Sequence, residues 1–212
     1  MVKRGLSRDR LVEIAHEYVS ANGLDALTMR RLAAAAEVTP GALYKHLKDR
    51  RDLQRAMSDA VYATIDLSDI DLDAPTLAQV IACCERMRAA MLRFRDGGRI
   101  VAGSYSPFAA TVELSGTLMT LLQGIVVPPF EPGDLQSVLR SYTTGFVIEE
   151  QAYLELERSG EWQPLVSALT ADAPRPNPTG DTISIMTGER DRRFTAGLTA
   201  ILAGTVREDR RR

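Results

Sequence analysis

Three features of the sequence predict an all-α chain. Strand-like alternation is nearly absent, apolar residues recur at i, i+3, i+4 and i+7 in one segment after another, and most of these segments open on Ser, Thr or Asp. At 212 residues and 45% hydrophobic, the chain can bury a sizeable core as one medium domain or two small ones. No internal repeat and no sustained heptad run is present.

The first helix is expected from Ser7 to Gly23, with Leu11, Ile14, Ala15, Tyr18 and Val19 on one face. In "TMRRLAAAA", Thr28 is the N-cap and Leu32, Ala33 and Ala36 turn inward. Arg30 and Arg31 fall in the first turn, where the helix dipole disfavours cations, so helix stability does not explain them. Thr39 is the next N-cap, with Pro40 at N1, where its fixed φ suits a helix and its missing N–H costs nothing. Asp49, with Asp52 three residues on, opens a fourth helix that carries Leu53, Ala56, Met57, Ala60, Val61 and Ile65 and ends near Asp66.

The acidic "DLSDIDLDAP" leads to Thr76 and Gln79, a capping box for a long helix through Leu77, Val80, Ile81, Cys84, Met87 and Met91 to Asp96, closed by Gly97. "GGRIVAGSY" has room for a helical turn or two. Ser106-Pro107 should open a helix bearing Val112, Leu114, Leu118, Met119 and Leu122 before Gly124. After "VVPPFEPGD" the longest helix is expected from about Pro132 to Arg158, with Leu135, Val138, Leu139, Tyr142, Phe146, Val147, Tyr153 and Leu154 as its apolar positions. "EWQPLVSAL" forms a short helix with the lone Trp162, and "ADAPRPNPTGD" a Pro-rich loop. The last helix is expected from about Thr187 to Val206, leading into "REDRRR".

Charge is divided unevenly. Residues 1–55 carry 11 Lys/Arg against 7 Asp/Glu, and the remainder 15 against 21, although the whole chain stands at −2. A basic head meeting an anionic partner is the implication. The N-terminal "MVKRGLSRDRL" lacks the apolar run of a signal peptide and no 18 apolar residues run together, so a soluble cytoplasmic protein without a membrane partner is expected. Cys83 and Cys84 are adjacent and complete no metal-ligand spacing. They read as two small apolar residues on a helix or as a thiol-sensing pair.

Catalysis finds little support. "GRIVAGS" has the glycine spacing of a phosphate loop, but it lacks the lysine before Ser104 and follows a helix rather than a strand. The familiar nucleophile-elbow, zinc-protease and dinucleotide motifs are missing, and the two histidines leave few candidate bases. The chain is not expected to be an enzyme.

A helix-turn-helix pattern is expected instead. Three short helices are joined by tight turns, the last two separated only by "AEV". Leu43 and Leu47 at i, i+4 pin the third helix to Leu32, Leu11 and Ile14. Small Gly41 and Ala42, and the donors Tyr44, Lys45 and His46, then face outward. A helix entering a major groove needs small residues for close approach and donors for phosphates and base edges. Thr28, Arg30 and Lys48 lie where they could hold flanking phosphates. Spacing alone also fits a three-helix mini-core with an ordinary solvated surface.

The segment "LTMRRLAAAAEVTPGALYKHLKDRRDL", residues 27 to 53, closely resembles the DNA-binding signature of the tetracycline repressor (TetR) family, and it stands behind one amphipathic helix as in that family. The resemblance implies a helix-turn-helix domain over residues 1–50, a linking helix over 50–66, and a helical ligand-binding and dimerisation domain over 67–212. It implies a homodimeric repressor of double-stranded operator DNA released by a small apolar or drug-like effector; the alternative is a ligand-independent or activating regulator. The same resemblance implies that Arg30 and residues 39–46 contact DNA, with Tyr44, His46 and Lys48 on phosphates and Thr39, Pro40, Gly41, Ala42 and Lys45 near base edges.

"FRDGGRIVAG" and "TTGFVIEEQAY" further resemble the tetracycline-responsive members, which implies a cavity between helices five to eight lined by Cys83, Met87, Val101, Ser104, Thr117 and Glu149. Those members hold a magnesium chelate through a histidine where this chain has Val101. His16 and His46 both belong to the head, so neither a metal nor another cofactor is expected. Glu149 reads as a ligand contact or as a partner of Arg86, Arg88 or Arg99, and Glu150, about 100° round the helix, as structural. Gly145, Ala196, Gly197, Ala200 and Gly204, with Phe194, Leu198, Ile201 and Leu202, form either a dimer face or close packing within one subunit.

Overall fold

The computed structural model describes residues 6–171 and 188–206. Ten helices follow one another among them: α1 (Arg8–Asn22), α2 (Met29–Ala35), α3 (Pro40–Leu43), α4 (Arg50–Tyr62), α5 (Leu77–Leu92), α6 (Gly97–Val101), α7 (Ala109–Ile125), α8 (Pro132–Ser159), α9 (Trp162–Thr170) and α10 (Arg190–Leu202), with one 3₁₀ turn at Leu24–Ala26. The described residues contain no strand; an isolated bridge joins Val126 to Val206. All but Ala171 of the Pro-rich loop, the expected start at Thr187 and the basic "REDRRR" lie outside the described residues.

Local capping explains the helix starts that sequence predicts well. Ser7, Thr28 and Asp49 each accept a hydrogen bond from the amide three residues on, and Thr76 with Gln79 closes a reciprocal capping box. Thr39 has the extended backbone of an N-cap, but its side chain makes no capping bond, and α3 is a single turn.

Four further boundaries differ from expectation, and distant partners set two of them, the end of α5 and the start of α7. The fourth helix ends at Tyr62, not near Asp66, where Thr64 Oγ1 donates to the Val61 carbonyl. Helix α5 stops at Leu92: Gln151 of α8 donates to the Phe94 carbonyl at 2.8 Å, and Asp96 takes a φ of 58° while its carboxylate accepts from the Leu24 amide. Gly97 therefore begins α6 rather than ending α5, and it is required there because a Cβ would stand 2.0 Å from the Met91 carbonyl oxygen. Helix α7 starts at Ala109, since Asp59 of α4 supplies its cap by accepting from the Thr111 amide and hydroxyl at 2.8 Å each. Ser106 merely accepts from the Phe108 amide. The last helix ends at Leu202, where Ala203 turns extended and Gly204 adopts φ 73°.

Two apolar clusters form the core. The larger joins Leu11, Leu32, Leu43 and Leu47 of the head to Leu53, Met57 and Val61 of α4 and onward to Met87, Ile100, Val101 and Leu114. The second gathers Val80, Cys83, Cys84, Leu118, Leu122, Leu139, Phe194, Leu198 and Leu202. Arg88 ties α5 to α8 and α10 through Glu150 and Asp191, at 2.8 and 2.7 Å, with its guanidinium against the rings of Phe146 and Phe194.

Arg8 does the equivalent work at the other end. Its guanidinium meets both oxygens of Asp52, at 2.7 and 3.0 Å, donates to the His46 carbonyl at 3.2 Å, and lies 4.6 Å from the centre of the Phe108 ring. The hydrogen bond from Arg8 holds the Asp52 carboxyl below its ordinary range. A carboxylate depressed in this way adds stability above about pH 4 that is lost as pH falls through its folded value. Asp52→Ala should lower the urea midpoint by about 2 kcal/mol equivalent at pH 7 with an unchanged m-value, and its deficit against the wild type should close below pH 4. A constant deficit down to pH 3 would show that the pair is not responsible.

Candidate functional site

The head is built so that its core residues leave a polar rim. Leu43 and Leu47 are buried, which turns Thr39, Pro40, Gly41, Tyr44 and Lys45 to solvent and leaves Ala42 and His46 half-covered. Tyr44 is 55% exposed, unusual for a large ring with no packing role. A Cβ built on Gly41 meets nothing within 4 Å, so the chain's own packing does not call for glycine there. Thr28, Arg30 and Lys48 are exposed around the same turn. Arg31 differs: it donates to the Ala26 carbonyl at 2.8 Å, so its place in the first turn of α2 is structural.

Below the head lies a cavity of about 600 Å³. Tyr62 of α4, Met87 of α5 and Val101 of α6 form its floor with Leu114 and Leu118, and Ser104, Tyr105, Gln136 and Arg140 stand around it. Burial pushes the Tyr62 phenol up to about 12, so it lines the wall as a neutral hydroxyl. Among the described residues the cavity wall contains no carboxylate and no imidazole, and no group of three or more His, Cys, Asp or Glu is placed to hold a metal ion. These residues do not fit a magnesium chelate. A wider hollow of about 910 Å³ beside α8 is edged by the ion pairs Arg99–Asp25 and Arg95–Glu155, and reads as a solvated groove.

The wall is fastened to α4 by a row of polar contacts. Ser104 Oγ donates to Ser58 Oγ at 2.9 Å, and Arg55 Nε and Gln54 Nε2 donate to the carbonyls of Ser104 and Ile100, each at 3.3 Å. Asp59 caps α7 as described.

Of the residues expected around a cavity, Met87, Val101 and Ser104 lie together in its wall. Cys83, Thr117 and Glu149 do not. Cys83 is one turn before Met87 but is fully buried in the second core cluster. Thr117 is half-buried outside the lining. Glu149 is exposed and edges a small recess beside Trp162 and Tyr153, while its neighbour Glu150 is buried on Arg88. Tyr62, Gln136 and Arg140 were not anticipated. The polar pair Gln136 and Arg140, at i, i+4 among apolar positions of α8, is the sequence signal that could have marked the latter two.

The small residues divide as well. A Cβ on Gly197 would lie 2.0 Å from the Tyr142 hydroxyl, so that glycine serves packing inside the subunit. Phe194, Leu198 and Leu202 are buried in the same core rather than offered to a partner. Gly145 meets nothing within 4 Å, and Ala196 and Ala200 are exposed.

Two family models match the chain. The family described as "Bacterial regulatory proteins, tetR family" matches residues 11–57, and "Tetracyclin repressor-like, C-terminal domain" matches residues 75–208. The class C tetracycline repressor protein of Escherichia coli is 32% identical over 206 residues, covering 94% of this chain and 90% of that protein. Among solved structures, a possible TetR family transcriptional regulator from Streptomyces coelicolor A3(2) superposes with a TM-score of 0.77 at 29% identity, covering 93% of this chain and 98% of that one. The S. coelicolor TetR family protein ActR in complex with actinorhodin gives 0.72 at 26% identity, covering 95% of each. No helix among the described residues is long and apolar enough to cross a membrane.

Cys83 and Cys84 are both buried, and desolvation pushes their thiols up to about 11 and about 12. Only the thiolate attacks, so both should resist iodoacetamide at pH 8 in the folded protein and react once it is unfolded in urea. Stoichiometric labelling of the native protein by mass spectrometry would restore the thiol-sensing reading.

Proposed function

We infer the function from one premise: the chain belongs to the TetR family of bacterial transcriptional regulators. It is a ligand-responsive, DNA-binding repressor that works as a dimer on operator DNA. Regulators of this family are generally not enzymes, and we extend that to this chain, with the cytoplasm as its place of action.

The observation that carries the reading is the polar fastening between the cavity wall and α4. Helix α4 packs Leu53, Met57 and Val61 into the core that also holds the reading head, and on its other side Gln54, Arg55, Ser58 and Asp59 bond the segment from α6 to α7. A ligand that moves this segment must move α4 or break these bonds. In a two-fold dimer the two heads sit about 34–36 Å apart over successive major grooves, so a change in α4 alters the spacing they match.

The proposed division is a DNA-binding domain over residues 1–50, a link through 50–66, and a ligand-binding and dimerisation domain over 67–212. On DNA, Thr28, Arg30, Tyr44, His46 and Lys48 would take phosphates, and Thr39, Pro40, Gly41, Ala42 and Lys45 would lie against base edges. Gly41 supports this reading, since it leaves space that nothing in the chain fills. In the cavity Met87, Val101 and Ser104 would contact the effector. The mostly apolar lining suits a drug-like or secondary-metabolite skeleton, as does the likeness to a protein solved with actinorhodin.

Gly41→Leu should leave the urea midpoint unchanged or slightly raised, because leucine favours a helix more than glycine does, while abolishing the mobility shift of the chain's own upstream DNA. Tyr44→Ala should weaken specific and non-specific DNA alike, by about tenfold each; a selective loss at one base position would overturn a phosphate role. Met87→Trp should fill the cavity and block release of DNA by a metabolite panel at unchanged DNA affinity. Normal release would remove Met87 from the ligand site.

A further inference from the structure

Among the described residues Arg140 is the one charged side chain in the cavity wall, and no ion pair joins it to an acid. It is half-buried on α8, and its recorded contact among the described residues is a face-on approach to the Tyr105 ring, 5.3 Å from the centroid. Arg8, Arg86 and Arg88, also half-buried, each hold a carboxylate, that of Asp52, Asp69 and Glu150 respectively, and half-buried Arg55 donates to the Ser104 carbonyl. A guanidinium withdrawn from water without a carboxylate is costly unless an anion is supplied.

Tyr105 is itself unusual. It is 75% exposed and held at φ 40°, a conformation that a bulky side chain rarely adopts. Strain of this kind persists where surrounding structure enforces it, and it clusters at ligand clamps and switches. Here it keeps the phenol ring over Arg140 at the cavity rim. The remaining polar groups are neutral: Ser104, Ser106, Thr111, Ser115 and the buried Tyr62 hydroxyl line the wall, and Gln136 Nε2 is already engaged with the Ser115 carbonyl and hydroxyl.

We propose that the effector is an amphiphilic organic anion, an apolar or aromatic skeleton with a single acidic group, and that Arg140 is the residue that binds that group. This rests on reading the cavity as the ligand site. The apolar floor of Met87, Val101, Leu114 and Leu118 takes the skeleton, and the acid forms the two-pronged pair that a guanidinium prefers. Binding also bears on release. The acid takes the N–H edge of Arg140 and draws on the guanidinium that faces the Tyr105 ring, and Tyr105 follows Ser104, which is bonded to Arg55 and Ser58 of α4.

Two fluorescent dyes that share one skeleton test the idea with the full-length protein. Anilinonaphthalene sulfonate carries one sulfonate, and N-phenylnaphthylamine is the neutral counterpart. Expected are tighter binding of the sulfonate dye by the wild type, a loss of about tenfold, or 1.4 kcal/mol, for that dye alone in Arg140→Gln, and retention of the preference in Arg140→Lys. Met87→Trp should exclude both dyes and so locate them in the cavity. Wild-type protein that binds the neutral dye in a Met87-dependent way without preferring the sulfonate overturns the anion assignment alone, as does an Arg140→Gln protein that keeps the preference. If neither dye responds to Met87→Trp, the ligand-cavity reading falls and the anion assignment falls with it.

Discussion

Helix α4 is held from two sides at once, and the rest of the structure is arranged around that constraint. One side is apolar: Leu53, Met57 and Val61 close the core of the head against α1. The other is polar and specific, with Gln54, Arg55, Ser58 and Asp59 each given a partner on α6, on α7 or on the segment that joins them. The two attachments differ in kind. Apolar packing is nondirectional and tolerates small rotations, whereas a hydrogen bond weakens steeply when its angle fails. A shift of the cavity wall is therefore transmitted to α4 more sharply than α4 can absorb it in its own packing.

Arg8 extends the constraint to the start of the chain. By binding Asp52, the His46 carbonyl and the face of Phe108, it joins the first helix, the end of the reading turn, the linking helix and the approach to α7 at one guanidinium. Neither its rotation nor that of Asp52 is free, because Asp52 also accepts from the Lys48 amide and donates its own amide to Asp49. The orientation of the reading turn relative to α4 is thus set by directional bonds, with apolar packing beneath them. This suits a device whose output is an angle between helices.

What could be read in advance follows from how local each determinant is. Ser7, Thr28, Asp49 and the Thr76–Gln79 box act within one turn of their own helix, and the sequence reveals them. The start of α7 depends on Asp59, 52 residues upstream of Thr111, and the break after α5 on Gln151 of α8, so no local pattern marks either. The site divides in the same way. The head was legible because its outward residues are what remains once Leu43 and Leu47 are buried. Helix α5 gave no such remainder: it is buried on more than one side, and Cys83 and Met87, one turn apart, go to different clusters. Periodicity identifies a buried face but not which of two cores receives it.

The energetics of release place a bound on what the cavity must supply. To invert a 99:1 population takes about 5.5 kcal/mol, which two equivalent sites share as about 2.7 kcal/mol each, a preference of about 100-fold for the released form. Each bond between the wall and α4 contributes only about 1 kcal/mol net, because water would replace it on breaking. Losing the Ser104–Ser58 and Arg55–Ser104 bonds with one of their neighbours is then comparable to the whole differential required per site. A ligand that binds with micromolar affinity brings about 8 kcal/mol, so it need direct only a third of its binding energy against these contacts. Whatever part of that energy is gained equally in either form shifts nothing. The differential has to come from the part of the ligand that meets the moving segment, and in this cavity that segment is the one carrying Ser104 and Tyr105.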